Sequence, residues 1–300
     1  GRMWTDEFFR PEDHVRTGDR LFVETWSEYV AKGIDPFQVA VDFSHEIGLE
    51  FHACCRLGWG LFYWPPHWEA VNRDSFWSRH PEWRSVHRDG RLGSAMSFAF
   101  PEVRRFLLDL ICEMAQYPID GVSILFNRQP PWVDYEAPLL EGFRAKYGKD
   151  PLDLDDRDPC WLAYRSTVVT TFMQDLRQDL ENIAKEHNRS EPFEISAWVM
   201  GSLEENLYYG LDLITWIDRG LVDTLIPYTS AEKLFSWQTA WENPEDVQNW
   251  VSLTQSTPCN LALNVMPREM SPGQYRRKAH ALYTAGVDHL AFWDTPISGA

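Results

Sequence analysis

The stretch from Pro101 to Phe126, PEVRRFLLDLICEMAQYPIDGVSILF, contains the unit that decides the fold. It begins with a proline at the first helical position and carries apolar side chains at helical spacing from Val103 to Met114. Asp120-Gly121 then leads into a short, uninterrupted apolar run, which is typical of a strand buried on both faces. A helix followed by such a strand is the repeating unit of a parallel α/β sheet.

The same unit recurs on both sides of this stretch. Helical patterns end at Gly48, Gly220 and Gly286, and each glycine is followed closely by an apolar run. Six strands are predicted, at Leu49–Arg56, Gly121–Phe126, Glu194–Met200, Thr224–Thr229, Leu261–Met266 and His289–Asp294. This alternation predicts an α/β fold of the (β/α)8 TIM type, with active-site residues at the carboxyl ends of the strands.

Six strands are fewer than the eight that a complete barrel has. The stretch Arg20–Trp26 (RLFVETW) reads as one further strand, so the sequence predicts a barrel whose first strand or strands are irregular or missing. No linker or repeat divides the chain, so residues 1–300 are predicted to form a single barrel domain. Long loops are expected at about residues 57–97 and 127–160, between a strand and the helix after it.

Composition and the absence of several motifs exclude other classes of protein. The net charge of −17 opposes binding to nucleic acid and to anionic membranes. No apolar run reaches the roughly 18 residues of a membrane span. The five cysteines have no CxxC spacing, and no HExxH, P-loop or GxGxxG motif occurs. Neither a cofactor nor a metal site is therefore predicted.

Three stretches resemble a known family: GLEFHACCRLG from Gly48, HPEWR from His80, and FAFPEVRRFLLDLICEMAQYPIDGVSILFNRQPP from Phe98. They resemble the family-10-like glycosyl hydrolase-like proteins of bacteria, which are TIM barrels related in fold to the clan A glycoside hydrolases. The resemblance is good over about residues 35–148. It implies that Leu49–Arg56 is the third barrel strand, Gly121–Phe126 the fourth and His289–Asp294 the eighth.

The sequence departs from that pattern at the end of the fourth strand. Clan A enzymes have Asn-Glu there, with the glutamate as acid/base, whereas this chain has Asn127-Arg128. Glycosidic cleavage usually needs two carboxyl groups roughly 5–10 Å apart. In a barrel they come from strand ends or from the loops that follow the strands. The catalytic candidates are Asp294 after the last strand, Glu269 after the seventh, and Asp134 and Glu136 in the loop after the fourth.

The side chains expected to bind substrate are polar or aromatic and lie in or just after the strands. Tryptophan is abundant, with 15 in the chain, and its flat ring suits the apolar face of a sugar. Arginine at a strand end needs acceptors or an anion, which a carboxylate or sulfate on the ligand would also supply. The predicted binding residues are His52, Arg56, Asn127, Arg128, Trp132, Trp198, Tyr228, Asn264 and Trp293.

The leading hypothesis is a glycoside hydrolase that uses carboxylate general acid/base catalysis. Its substrate would be an oligo- or polysaccharide, and acidic saccharides belong to the candidates. Two alternatives remain open at this point. A non-catalytic barrel module that binds glycans is favoured by the missing glutamate after Asn127. A sugar-acid lyase or isomerase would use the arginines to hold a substrate carboxylate. The sequence predicts no oligomeric state and no compartment.

Overall fold

The computed structural model describes residues 17–58, 76–128, 130–228, 241, 244–265 and 270–293. Its strands are β1 (His52–Arg56), β2 (Arg84–Val86), β3 (Leu92–Met96), β4 (Gly121–Leu125), β5 (Glu194–Val199), β6 (Thr224–Pro227), β7 (Asn260–Asn264) and β8 (His289–Ala291). Its α-helices are α1 (Thr17–Ala31), α2 (Pro36–Glu46), α3 (Phe76–Arg79), α4 (Pro101–Met114), α5 (Ala137–Tyr147), α6 (Pro159–Glu186), α7 (Leu203–Tyr208), α8 (Leu213–Asp218), α9 (Pro244–Thr254) and α10 (Pro272–Thr284).

The main sheet has six strands in the order β1-β4-β5-β6-β7-β8, and every pair in it is parallel. Helices lie between each strand and the next along the chain, which is the arrangement of a (β/α) barrel. The predicted α/β barrel fold is therefore confirmed. All six predicted strands form, and all six end at the same edge, which is called the carboxyl edge below.

Three aspartates fasten the opposite, amino edge of the sheet. Asp120, Asp223 and Asp288 each precede a strand, and each carboxylate accepts a hydrogen bond from a backbone N–H at the start of the neighbouring strand. The donors are Phe51 at 2.7 Å, Ile195 at 2.7 Å and Leu261 at 3.0 Å, respectively. These bonds satisfy donors that lie beyond the regular strand pairing, and they fix where the strands begin.

The two faces of the sheet differ in chemistry. On β4, Val122 and Ile124 belong to the large apolar core that the strands form with the surrounding helices. The intervening Ser123 instead shares a hydrogen bond of 2.9 Å with Ser196 on β5, both through their hydroxyl oxygens. Since successive strand residues point to opposite faces, the core helices cover one face, and the other has a polar centre.

One expectation from the sequence is wrong. Arg20–Trp26 is not a strand but part of α1. A short apolar run cannot be distinguished from a helical turn by periodicity alone, and here it belongs to a 15-residue helix. Within the long loop expected at about 57–97, the described residues form α3 and the antiparallel hairpin β2–β3. None of the helices in the described part of the chain combines the length and apolar character needed to cross a bilayer.

Gly121 provides a test of how closely the strands approach at the amino edge. A Cβ atom at this position would lie 2.6 Å from the backbone oxygen of Glu194 and 2.9 Å from Cε1 of His52. Gly121→Ala is therefore expected to lower the free energy of unfolding by roughly 1–3 kcal/mol, the usual cost of overpacking. The measurement is the midpoint of urea denaturation, and the slope of the unfolding free energy against urea concentration should stay unchanged.

Gly273→Ala is the matched control for this substitution. Gly273 lies in the first turn of α10, and the nearest atom to an added Cβ is Nη1 of Arg277 at 3.5 Å, an ordinary contact. It should be neutral or slightly stabilising, because alanine lowers the entropy of the unfolded chain. Equal midpoints for the two variants would contradict the close approach at Gly121.

Candidate functional site

An aromatic cluster lies at the carboxyl edge of the sheet. It consists of Trp198 near the end of β5, Tyr228 directly after β6, and Trp293 just beyond β8. The ring centroids are 5.0 Å apart for Trp198 and Trp293, 5.9 Å for Tyr228 and Trp293, and 6.1 Å for Trp198 and Tyr228. Nε1 of Trp198 donates to the hydroxyl of Ser123 at 3.1 Å, which fixes the orientation of its indole.

Two buried amide side chains lie at the same edge. Asn127 follows β4 and is 4% exposed, and Asn264 ends β7 and is 1% exposed. Neither the amide nitrogen nor the amide oxygen of either residue has a hydrogen-bond partner in the described ranges, and the same holds for Nε1 of Trp293. A buried polar group without a partner costs roughly 1–3 kcal/mol, so such groups normally meet a ligand or water.

Two arginines adjoin these groups. Arg56 ends β1, and in the register of the sheet it pairs with Leu125, three residues before Arg128. The guanidinium carbon of Arg128 lies 5.3 Å from the ring centroid of Trp293. Burial lowers the pKa of Arg56, and the positive charge of Arg128 lowers it further. The edge thus combines flat apolar rings, unpartnered amides and positive charge.

A sequence model of the family described as Glycosyl hydrolase-like 10 matches residues 16–259. The chain belongs to the glycosyl hydrolase-like 10 family. The resemblance inferred from the sequence is thereby confirmed. Comparison with the curated proteins gives no match.

Solved structures agree with this family in fold. The glycoside hydrolase domain of PgaB (BpsB) from Bordetella bronchiseptica is 14% identical, with a TM-score of 0.56 over 85% of this chain and 73% of that one. The cold-adapted β-galactosidase from Rahnella sp. R3 is 13% identical, with a TM-score of 0.55 over 86% of this chain and 42% of that one. At such identities the likeness establishes the fold alone.

Glu136, a predicted catalytic residue of this glycosyl hydrolase-like 10 protein, is fully buried. Its carboxylate accepts hydrogen bonds from the backbone N–H groups of Asp134 at 2.9 Å and Val86 at 3.3 Å. Burial raises its pKa to about 7, although hydrogen bonds from the backbone of Asp134 and the hydroxyl of Ser97 act in the opposite direction. The carboxylate therefore joins the loop after β4 to the β2–β3 hairpin, and substrate has no access to it in this arrangement.

Asp134 is mostly buried beside a histidine. Its Oδ2 lies 2.9 Å from Nδ1 of His87 in the hairpin, and its Oδ1 lies 4.0 Å from Nη1 of Arg165. Burial raises the pKa of Asp134, and these two partners oppose the shift. His87 was not predicted as a site residue, because nothing in the sequence indicates that the hairpin crosses the loop after β4.

Trp132 is a core residue rather than a surface for stacking. It is 1% exposed, and its ring packs 5.6 Å from that of Phe98 and 6.1 Å from that of Phe126. Its Nε1 donates to the backbone oxygen of Phe126 at 3.3 Å. The expectation that Trp132 binds substrate is therefore corrected, because neighbouring side chains already cover the ring.

His52 lies at the wrong edge for the predicted substrate site. It is the first residue of β1, and in the register of the sheet it pairs with Gly121, the first residue of β4. Four residues of extended chain, roughly 13 Å, separate it from Arg56 at the carboxyl edge. Its side chain instead lies near Glu50 and Glu194, which come before β1 and at the start of β5. The prediction that His52, within the strand, binds substrate is corrected, because its side chain lies at the amino edge.

The structure thus brings together seven of the predicted residues at the carboxyl edge: Arg56, Asn127, Arg128, Trp198, Tyr228, Asn264 and Trp293. The predicted catalytic residues Glu269 and Asp294 lie outside the described residues. Ser123 was missed by the sequence reasoning, although a lone serine in an apolar strand is a signal that could have identified it. Its hydroxyl contacts both Trp198 and Ser196.

Proposed function

We propose that the chain binds an oligo- or polysaccharide at the carboxyl edge of its barrel and hydrolyses a glycosidic bond there. The observation that carries this proposal is the pair of half-buried indoles of Trp198 and Trp293, packed on the buried ring of Tyr228, beside the unpartnered amides of Asn127 and Asn264. Membership of the glycosyl hydrolase-like 10 family supports the same class of ligand.

The two kinds of group match the two sides of a sugar. The ring of a pyranose has apolar C–H faces, which pack on an indole ring, and hydroxyls around its rim. An asparagine amide offers two donors and an acceptor, so it can donate to one hydroxyl and accept from another. Occupied by a saccharide, Asn127 and Asn264 would gain the hydrogen bonds that the described residues do not provide.

Asp294 and Glu269 are proposed as the catalytic pair. Asp294 directly follows Trp293 of the aromatic cluster in the sequence, and Glu269 comes five residues after Asn264. Of the two other candidates, Glu136 is engaged with backbone amides and Asp134 with His87. One member of the pair would protonate the leaving oxygen, and the other would act as nucleophile or base.

The proposal is tested on a panel of natural glycans. Release of reducing ends measures hydrolysis, and calorimetry measures binding. Trp198→Ala is expected to weaken binding of the responsive glycan by roughly 10-fold, because a stacking surface is lost. Tyr283→Ala is the matched control, since Tyr283 is an exposed aromatic side chain on α10. Equal losses in the two variants, or none in either, would contradict a site at the aromatic cluster.

Binding without cleavage is the second candidate function. It is favoured by Arg128, which follows Asn127 where related hydrolases have a glutamate. In the same assay it would give a dissociation constant for a glycan and no new reducing ends. A lyase would reveal itself separately, by the ultraviolet absorbance of an unsaturated product.

A further inference from the structure

The positive charge at the carboxyl edge is concentrated between β1 and β4. Arg56 and Arg128 are close enough for the charge of one to lower the pKa of the other. Two like charges in a partly buried place repel each other more strongly than in water. An anion bound next to them would remove this repulsion, whereas a neutral hydroxyl would not.

Arg128 is held in place without an acidic partner in the described ranges. Its guanidinium carbon lies 5.3 Å from the centroid of Trp293, a contact between a cation and an aromatic ring. No carboxylate of the described residues forms a salt bridge with it, and its buried Nε has no hydrogen-bond partner there. Guanidinium N–H groups are therefore available to an incoming acceptor.

The neighbouring polar atoms are mostly donors. Nε1 of Trp293 can only donate, and the amide of Asn127 has two N–H donors. The described residues provide no acceptor for these donors. Arginine provides further donors in a planar fork that matches a carboxylate or a sulfate. A place with many donors and two guanidinium groups fits a ligand group that has several acceptors and a negative charge.

We propose that Arg128, with Arg56 beside it and with Asn127 and Trp293, binds one anionic group of the saccharide, a carboxylate or a sulfate ester. The proposal rests on the carbohydrate site proposed above and names its class of substrate. It concerns a single group, because the net charge of −17 would repel a chain that is anionic at every sugar.

Calorimetric titrations with glucuronic acid, glucose 6-sulfate and glucose test the proposal at one fixed chloride concentration. The wild-type protein should bind at least one of the two anions more tightly than glucose, and the tighter anion distinguishes carboxylate from sulfate. Arg128→Gln should weaken binding of that anion roughly 10- to 100-fold, as expected for the loss of charged hydrogen bonds. Its affinity for glucose should fall less than its affinity for the anion, because glucose offers no charge to the guanidinium.

Two further variants separate the subsite from general effects of charge and folding. Arg105→Gln removes the same charge from α4, where Arg105 pairs with Asp109 and Asp179, and it should bind like the wild type. Arg128→Lys retains the charge but loses the planar fork, so its affinity for the anion should be intermediate. It also remains informative if Arg128→Gln does not fold.

The outcomes distinguish this proposal from the function on which it rests. If the wild type binds glucose as tightly as both anions, or if the Arg128 variants bind the anion as well as the wild type does, the anionic subsite is rejected. The proposed hydrolysis of neutral glycans would not be affected by that result. If anion binding depends on Arg128 but no glycan is cleaved, the subsite holds and hydrolysis fails.

Discussion

Asp294→Asn is expected to lower kcat by roughly 100- to 10,000-fold on the glycan that the wild type cleaves, and Glu269→Gln should do the same. Each substitution removes the ionisable group that the proposed mechanism requires but retains the shape of the side chain. Proton transfer to the leaving oxygen, or attack at the anomeric carbon, then loses its catalyst. The measurement is steady-state release of reducing ends, accompanied by the midpoint of urea denaturation to verify folding.

Asp109→Asn is the matched control for this pair of substitutions. Asp109 lies on α4, is exposed, and pairs with Arg105, so its change alters charge away from the carboxyl edge. It should leave kcat unchanged. Full activity of both Asp294→Asn and Glu269→Gln would reject them as the catalytic pair and direct attention to Asp134, which lies beside His87.

The barrel could be predicted from the sequence because its signals are local. The helix Pro101–Met114 and the strand Gly121–Leu125 follow from apolar spacing, a proline at the helix start and a glycine at the start of the strand. The β2–β3 hairpin could not be predicted in this way. Its strands are short, and they are fixed by distant contacts, such as the hydrogen bond of 2.9 Å from the N–H of Tyr135 to the backbone oxygen of Val86.

Part of the site could be predicted for the same reason. In a parallel sheet, residues that follow the strands must share an edge, so Asn127, Tyr228 and Asn264 were correctly expected to lie there. Burial could not be predicted, because it depends on distant partners. Trp132 and Trp293 both follow a strand, yet Phe98 covers Trp132 while Trp293 lies beside Arg128. The surroundings of His52 could not be predicted either, because its neighbour Glu194 belongs to β5, far away in the sequence.

Raising the pH from 5 to 8 is expected to destabilise the protein through Glu136. Burial raises the pKa of this side chain from its ordinary value of 4.5 to about 7 in the folded state. Between these values the folded protein holds a proton that the unfolded chain has lost, so the free energy of unfolding falls as the pH rises. At 1.36 kcal/mol per pKa unit, the loss is roughly 3 kcal/mol above pH 7.

Glu136→Gln should remove most of this dependence, because glutamine remains neutral across the range. Its amide oxygen can still accept from the N–H of Val86, but its NH₂ group replaces the oxygen that accepts from Asp134. The variant should therefore be less stable than the wild type by about 1 kcal/mol at pH 5 and no less stable at pH 8. Urea denaturation at both pH values measures the difference.

Comparing Glu136→Gln with the wild type separates the effect of Glu136 on the pH dependence of stability from the effects of carboxylates that titrate in the opposite sense. Asp35 and Asp120 have lowered pKa values, so their contribution to stability is lost as the pH falls, below the window in which Glu136 acts. Glu141→Gln, an exposed position on α5, serves as the control and should retain the pH dependence of the wild type.

If Glu136→Gln lost as much stability between pH 5 and 8 as the wild type, Glu136 would be ionised in the folded protein at pH 5. Its hydrogen bonds to the backbone would then outweigh the cost of burial, and the loop after β4 would be held by a charged carboxylate.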